Sequence, residues 1–126
     1  MDTASLTLCK ELYEVSGWKD TDYFYQFVEY GDLSTGYYLT NPTLEMPLHA
    51  NAYPAYDLGY LLRRLPQNSW AGYTDTSGQR GYALAKTYAW NKRGNDIDKI
   101  AECRADTPED AAANLAIELF KHGILN

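Results

Sequence analysis

The stretch IAECRADTPEDAAANLAIELFKHGIL, Ile100 to Leu125, decides the fold. It begins as a strand and runs straight into a helix whose two ends are both signalled. Thr107 suits an N-cap, Pro108 the first helical position, and Glu109 with Asp110 place negative charge on the first turn. Lys121 and His122 fall in the last turn, and Gly123 can take the left-handed conformation that ends it. The helix carries small residues, Ala111, Ala112, Ala113 and Ala116, beside Leu115, Leu119 and Phe120.

The alanines look outward to a matching strand. Arg80 to Trp90 reads as extended, with Tyr82, Leu84, Lys86, Tyr88 and Trp90 on one face and Ala83, Ala85, Thr87, Ala89 and Asn91 on the other. Small side chains on a strand let a helix approach closely, so the two alanine faces are expected to meet. The larger face is then either covered by a second layer or open for binding. Ser69 to Thr74 and Asp96 to Ala105 flank this strand through short links containing Gly78 and Gly94, which favours antiparallel pairing.

The first half completes the core. Ser5 to Ser16 places Leu8, Cys9, Leu12, Tyr13 and Val15 near one helical face, and Gly17 closes it. Tyr23 to Tyr30 is an aromatic strand, Gly36 to Thr40 its return, and Asn41 to Pro54, with three prolines, a surface loop. Pro54 to Leu65 is a helix with Leu58, Leu61, Leu62 and Leu65 on its apolar face, started by Pro54 and stopped by Pro66. The order α-β-β-α-β-β-β-α predicts one α+β domain over residues 1–126, a helix–sheet sandwich of about five mainly antiparallel strands and three helices.

Composition narrows the function more by exclusion than by assignment. Nine acids against two bases leave residues 1–60 at net −7, whereas nine bases against eight acids leave residues 61–126 at +1. An acidic half disfavours nucleic acid; it permits a basic protein partner, or serves solubility alone, since charge by itself carries no partner identity. Met1-Asp2-Thr3 has neither a basic nor an apolar leader segment, and no apolar run reaches membrane-spanning length. A cytoplasmic protein, in the host cytoplasm if phage-encoded, with no membrane association is the expectation, and Cys9 and Cys103 are expected to be reduced core thiols.

Catalytic patterns are sparse. Gly72, Gly78 and Gly81 lack the spacing of a phosphate loop, and His49 and His122 have no close Cys or His partner, so no metal or other cofactor is expected. Asp96 and Asp98 form a spaced carboxylate pair of the solvated or capping kind. Neither thiol has a local base signature beside it. The chain reads as non-enzymatic.

Tyrosine is the unusual component, at twelve residues. Tyrosine gives large contact area at low entropic cost and is common in protein interfaces. The acidic and aromatic set Asp20, Asp22, Glu29, Asp32, Tyr37 and Tyr38 is therefore the candidate protein-binding surface. Arg80, Lys86, Lys92 and Arg93 form a basic, aromatic strip without an acid. That strip makes Lys86, Tyr88, Trp90 and Arg93 the alternative, a weak single-stranded nucleic-acid site. A tyrosine-rich surface also suits a structural, oligomerising component.

The segments Pro54 to Pro66 (PAYDLGYLLRRLP) and Ala105 to Ala111 (ADTPEDA) resemble small phage- and prophage-encoded proteins of the phage ABA-sandwich type. That resemblance implies a helix–sheet–helix sandwich and a phage context, and carries no catalytic residues. In that context the chain is expected to bind a host protein as an accessory factor. One concrete version is an anti-CRISPR-like inhibitor whose acids between Glu11 and Glu45 occupy a basic groove meant for DNA.

Overall fold

The computed structural model describes residues 2–28, 36–42, 52–74, 82–90 and 97–125. Among these residues three helices and six strands follow one another as α1 (Leu6–Ser16), β1 (Tyr23–Val28), β2 (Gly36–Thr40), β3 (Tyr53–Ala55), α2 (Leu58–Arg64), β4 (Ser69–Tyr73), β5 (Ala83–Trp90), β6 (Ile97–Ala105) and α3 (Pro108–Lys121). The α+β class and the antiparallel pairing are as the sequence predicts. The strands, however, form two three-stranded sheets, ordered β2-β1-β3 and β4-β5-β6, rather than one sheet of about five.

Helix α3 is central. Thr107 caps it, its Oγ1 accepting the Asp110 N–H at 3.2 Å. At the other end Gly123 has φ 74°, the Gly123 N–H donates to the Phe120 carbonyl at 3.1 Å, and the Ile124 N–H donates to Leu119 at 2.8 Å. This is the paired bonding of a Schellman ending, which only a residue tolerant of positive φ permits. Ala111, Ala112, Ala113, Leu115, Ala116, Ile117 and Leu119 are all buried. A helix buried around most of its circumference must have neighbours on both sides. One side packs on β4, β5 and β6; α1 and α2 pack on the helix as well.

The predicted meeting of small faces is what seats α3. Ala83 and Ala85 of β5 and the four α3 alanines are 0 % exposed in one continuous core. Beside them Thr87, also fully buried, satisfies its hydroxyl against Ser69, its partner in the register, at 2.6 Å. A buried hydroxyl without such a partner would cost about 1–3 kcal/mol.

Helix α2 begins later than its leucines suggest. Pro54 does not start it but lies buried in β3, paired with Phe24, in a strand at the edge of its sheet where a missing N–H is tolerated. Asp57 is the N-cap, accepting the Tyr60 N–H at 2.7 Å. Its inward face is Tyr60, Leu61 and then Leu65, while Leu62 is exposed. On α1, Cys9 and Leu12 are buried, Val15 is exposed, and Gly17 at φ 69° closes the helix by donating to the Tyr13 carbonyl. The predicted loop Asn41 to Pro54 therefore ends in a strand; residues 43–51 lie outside the described residues.

Trp18, just after α1, ties the helices together. Its ring meets Phe120 of α3 edge-on at 5.1 Å and Tyr60 of α2 at 6.3 Å, and its carbonyl accepts the Tyr56 hydroxyl at 2.6 Å. The sheet β2-β1-β3 packs on α1, with the Lys10 ammonium 4.8 Å from the Tyr37 ring centre and 4.9 Å from that of Tyr53. On its opposite face the buried Gln26 amide donates to Thr40 Oγ1 at 2.5 Å.

Candidate protein-binding surface

The acidic and aromatic set is not one surface. Asp20 is committed to the fold: Tyr60 donates its hydroxyl to one carboxylate oxygen and Arg64 its guanidinium to the other. Arg64 in turn stacks 5.0 Å from the Tyr60 ring centre and 5.7 Å from that of Trp18. The Tyr60 hydrogen bond, helped by the Arg64 charge, holds the Asp20 carboxyl below the usual carboxylate range. Tyr37 is likewise engaged, its ring 5.5 Å from Phe27 and 6.0 Å from Tyr53 with Lys10 over it. Asp22 and Tyr38 are exposed. Glu29 and Asp32 lie outside the described residues.

The alternative strip fares differently. Lys86 and Tyr88 sit half-buried on the face of β5 turned away from the alanines. Trp90 belongs to β5 by its backbone, its side chain lying outside the described residues, as does Arg93 altogether. Around Lys86 the structure assembles a larger group. The register sets Trp70 and Glu102 on either side of Lys86, and Gly72 and Arg104 on either side of Leu84. Directly opposed residues in antiparallel strands point to the same face. Trp70, Gly72, Tyr82, Leu84, Lys86, Glu102 and Arg104 therefore share the face of the sheet away from α3.

That face has an internal construction. A Cβ built on Gly72 would lie 2.9 Å from Trp70 Cζ2, so the indole folds over its own strand into the space that the glycine leaves. Arg104 stacks its guanidinium 4.5 Å from the Tyr82 ring centre. Leu84, between them in the register, is 3 % exposed although it lies outside the central core. Trp70 at 47 % and Tyr82 at 39 % remain open to solvent. Among the described residues no second layer covers this face: Trp70 and Tyr82 keep much of their surface outward beside the buried Leu84.

Sequence reasoning grouped Tyr82 with Lys86 and Tyr88 but passed over Trp70 and Arg104. The signal for Trp70 is its place two residues before Gly72 in a strand, where an aromatic ring can cover the glycine. Arg104 has no such local signal, because its position across from Leu84 is a matter of register.

The thiols are set against nucleophilic chemistry. Cys9 is buried, its Sγ donates to the Ala4 carbonyl at 3.4 Å, and burial pushes its pKa up to about 11. Burial, reinforced by the Glu118 and Glu102 charges, also raises Cys103. Both are unpaired thiols, and a reactive cysteine needs the opposite shift. His122 caps α3 and lies 3.6 Å from Glu118. His49 and Asp96 lie outside the described residues. Among the described residues no group of three or more His, Cys, Asp or Glu side chains is placed to hold a metal, and no helix is long and apolar enough to cross a membrane.

Comparison with family models, with curated proteins and with solved structures finds no match to this chain.

Proposed function

We propose that the chain is a non-enzymatic protein-binding module whose contact surface is the Trp70–Tyr82–Arg104 face of the β4-β5-β6 sheet. One observation carries the reading: Trp, Tyr and Arg, the side chains that dominate interface energetics, are held together around the buried Leu84. Folding has already fixed the indole over Gly72 and the guanidinium over Tyr82, so little side-chain freedom is left to lose on binding. An aromatic anchor of this kind contributes about 2 kcal/mol or more when a partner seals it from water. The partner that fits presents an apolar pocket rimmed by acids, to meet Lys86 and Arg104.

The phage context rests on the resemblance of the Pro54–Pro66 and Ala105–Ala111 segments, and it makes the partner a host protein. An anti-CRISPR-like inhibitor is a separate version of the host-protein reading, in which the acidic half rather than the Trp70 face meets a basic groove. In it, Asp22 is available to mimic a phosphate, whereas the Asp20 carboxylate is already held by Tyr60 and Arg64.

A second reading, weak binding of single-stranded nucleic acid, draws on Lys86 lying across from Trp70 with Tyr88 on the same face. Stacking on aromatics beside a cation suits bases and phosphates together.

The test is a capture experiment from nuclease-treated lysate of phage-infected host cells, comparing the parent chain with a Trp70→Ala/Tyr82→Ala variant and an Asp22→Lys/Tyr38→Ala variant. A protein held by the parent and the second variant but lost by the first supports the face. Retention by the first variant overturns it. Recovery only of material that nuclease removes, with salt-sensitive binding of a single-stranded oligonucleotide, transfers the face to the nucleic-acid reading.

A further inference from the structure

We propose that the free edge of β4 is a homodimer interface, in which two copies pair antiparallel about a two-fold axis through Ala71. The pairing joins two β4-β5-β6 sheets into one of six strands, with the β4 strands at its centre. This inference goes beyond the binding-face reading and does not depend on it.

The two edges of this sheet are built differently. Natural proteins guard an edge with charges, proline, bulges or shortness. β6 follows that rule: four of its nine residues are charged, Asp98, Lys99, Glu102 and Arg104, and its register shifts opposite Thr87 and Tyr88. β4, Ser69-Trp70-Ala71-Gly72-Tyr73, has ordinary length and carries no charge, no proline and no register shift. Among the described residues no strand pairs with its outer side. The core also thins toward this edge. Ser69, Ala71 and Tyr73 stand directly across from Thr87, Ala85 and Ala83, which are 0 % exposed on the α3 side. Yet Ser69 and Ala71 are only half-buried and Tyr73 is 53 % exposed, which leaves room for the flank of a second copy.

The ladder fixes which groups the edge offers. The Thr74 N–H donates to the Tyr82 carbonyl at 2.9 Å and the Tyr88 N–H to the Asn68 carbonyl at 3.1 Å. Thr74 and Asn68 therefore turn their backbone groups toward β5. Trp70 and Gly72, between them, do the same, because hydrogen-bonded pairs recur at every second residue of an antiparallel ladder. The odd-numbered residues turn the other way. The amides and carbonyls of Ser69, Ala71 and Tyr73 thus face the free edge.

A two-fold axis at Ala71 sets Ser69 of each copy against Tyr73 of the other and Ala71 against itself. All three residues then exchange N–H and C=O bonds with an opposite. Moving the axis to Trp70 leaves Tyr73 without an opposite in the strand, and moving it to Gly72 leaves Ser69 without one, so a single register uses the whole edge. The side chains fit that register. Each indole already lies over its own Gly72, and that glycine comes across from Trp70 of the other copy. The two indoles therefore lie side by side, antiparallel, about 4.8 Å of strand spacing apart, and cover each other's exposed surface. On the opposite face Ala71 meets Ala71, and each exposed Tyr73 lies beside a Ser69. Residue 71 forms a hydrogen-bonded pair with its own copy, with Cα atoms about 5.5 Å apart, within the roughly 4.4–6.8 Å that a disulfide spans. The joined sheet also carries two Trp70–Tyr82 faces on one side.

Light scattering after size exclusion tests the pairing, with circular dichroism as the check on folding. The parent is expected to be a dimer. Ala71→Pro is expected to be a folded monomer, because the N–H that proline lacks faces the free edge. In a Cys9→Ser/Cys103→Ser background, copper-phenanthroline oxidation is expected to link Ala71→Cys chains into a covalent dimer. It should leave Tyr73→Cys chains unlinked, since residue 73 meets residue 69 rather than itself. A parent that stays monomeric at high concentration overturns the proposal, even if the edge then takes an extended segment of another protein. So does a dimer indifferent to a folded Ala71→Pro, or one in which Tyr73→Cys links as readily as Ala71→Cys. Should Ala71→Pro not fold, the absence of a covalent dimer from the Ala71→Cys chain overturns it equally.

Discussion

Ser5 and Asp110 are 105 residues apart in the chain, and the Ser5 backbone N–H donates to Asp110 Oδ1 at 2.7 Å. Ser5 is the N-cap of α1, and Asp110 sits on the first turn of α3. One carboxylate therefore favours its own helix by charge and fastens the start of another by hydrogen bond. Asp110→Ala removes both effects and is expected to destabilise the chain by about 1–2 kcal/mol, since hydrogen bonds to charged groups exceed neutral ones and this one is partly exposed to water. Asp110→Asn keeps an acceptor and should recover about half of the loss. Urea unfolding of the three chains measures both, and an unchanged midpoint for Asp110→Ala would refute the role.

Gly72 is the second checkable position, because Trp70 depends on its missing side chain. With a Cβ only 2.9 Å from Cζ2, Gly72→Ala forces the indole off the space it fills over the strand. The expected outcome is a loss of about 1–3 kcal/mol, the usual range for overpacking, despite the better strand propensity of alanine. Tryptophan emission, compared in a Trp70→Phe background, should shift to the red in Gly72→Ala only when Trp70 is present. A stabilised variant with unshifted emission would show that the ring does not rest there.

What the sequence made legible was whatever is local. The caps of α3, the stop at Pro66 and the alternation along β5 are short-range patterns, and each reappears in the structure. The start of α2 was misread because Pro54 suits a first helical turn as well as an edge strand. Only pairing with Phe24, thirty residues away, decides between them. The division into two sheets was not legible for the same reason: β3 joins β1, a non-local choice that no periodicity records. The candidate surface was half legible. Tyr82, Lys86 and Tyr88 share one strand face, but Trp70 and Arg104 reach them through register. Asp20 is grouped with the acids of a binding surface in the sequence because nothing near it there announces Tyr60 or Arg64, which hold its carboxylate.

That misreading yields the last prediction, a dependence of stability on pH at both extremes. The Asp20 carboxyl, held below its ordinary value of 3.8 by the Tyr60 hydroxyl and the Arg64 charge, binds its proton less readily when folded than when unfolded. Its contribution is therefore fully present above that ordinary value and is lost as pH falls through the lower, folded one. Tyr60 is shifted the other way, upward from 10.0, first by burial and then by its bond to Asp20, which needs the phenol protonated. Tyr56, buried beside it, is raised as well, again by burial first. Their contributions are complete below about pH 10 and disappear as alkali deprotonates the folded phenols. Thermal melts across pH should show the parent above Asp20→Asn at neutrality, with the two curves converging as pH falls from about 5 toward 3. Tyr60→Phe, which has no phenol to ionise, should flatten the alkaline limb while Tyr56 retains part of it. Parallel acid limbs for the parent and Asp20→Asn would mean that the Tyr60–Asp20–Arg64 cluster does not hold α2 against the link that follows α1.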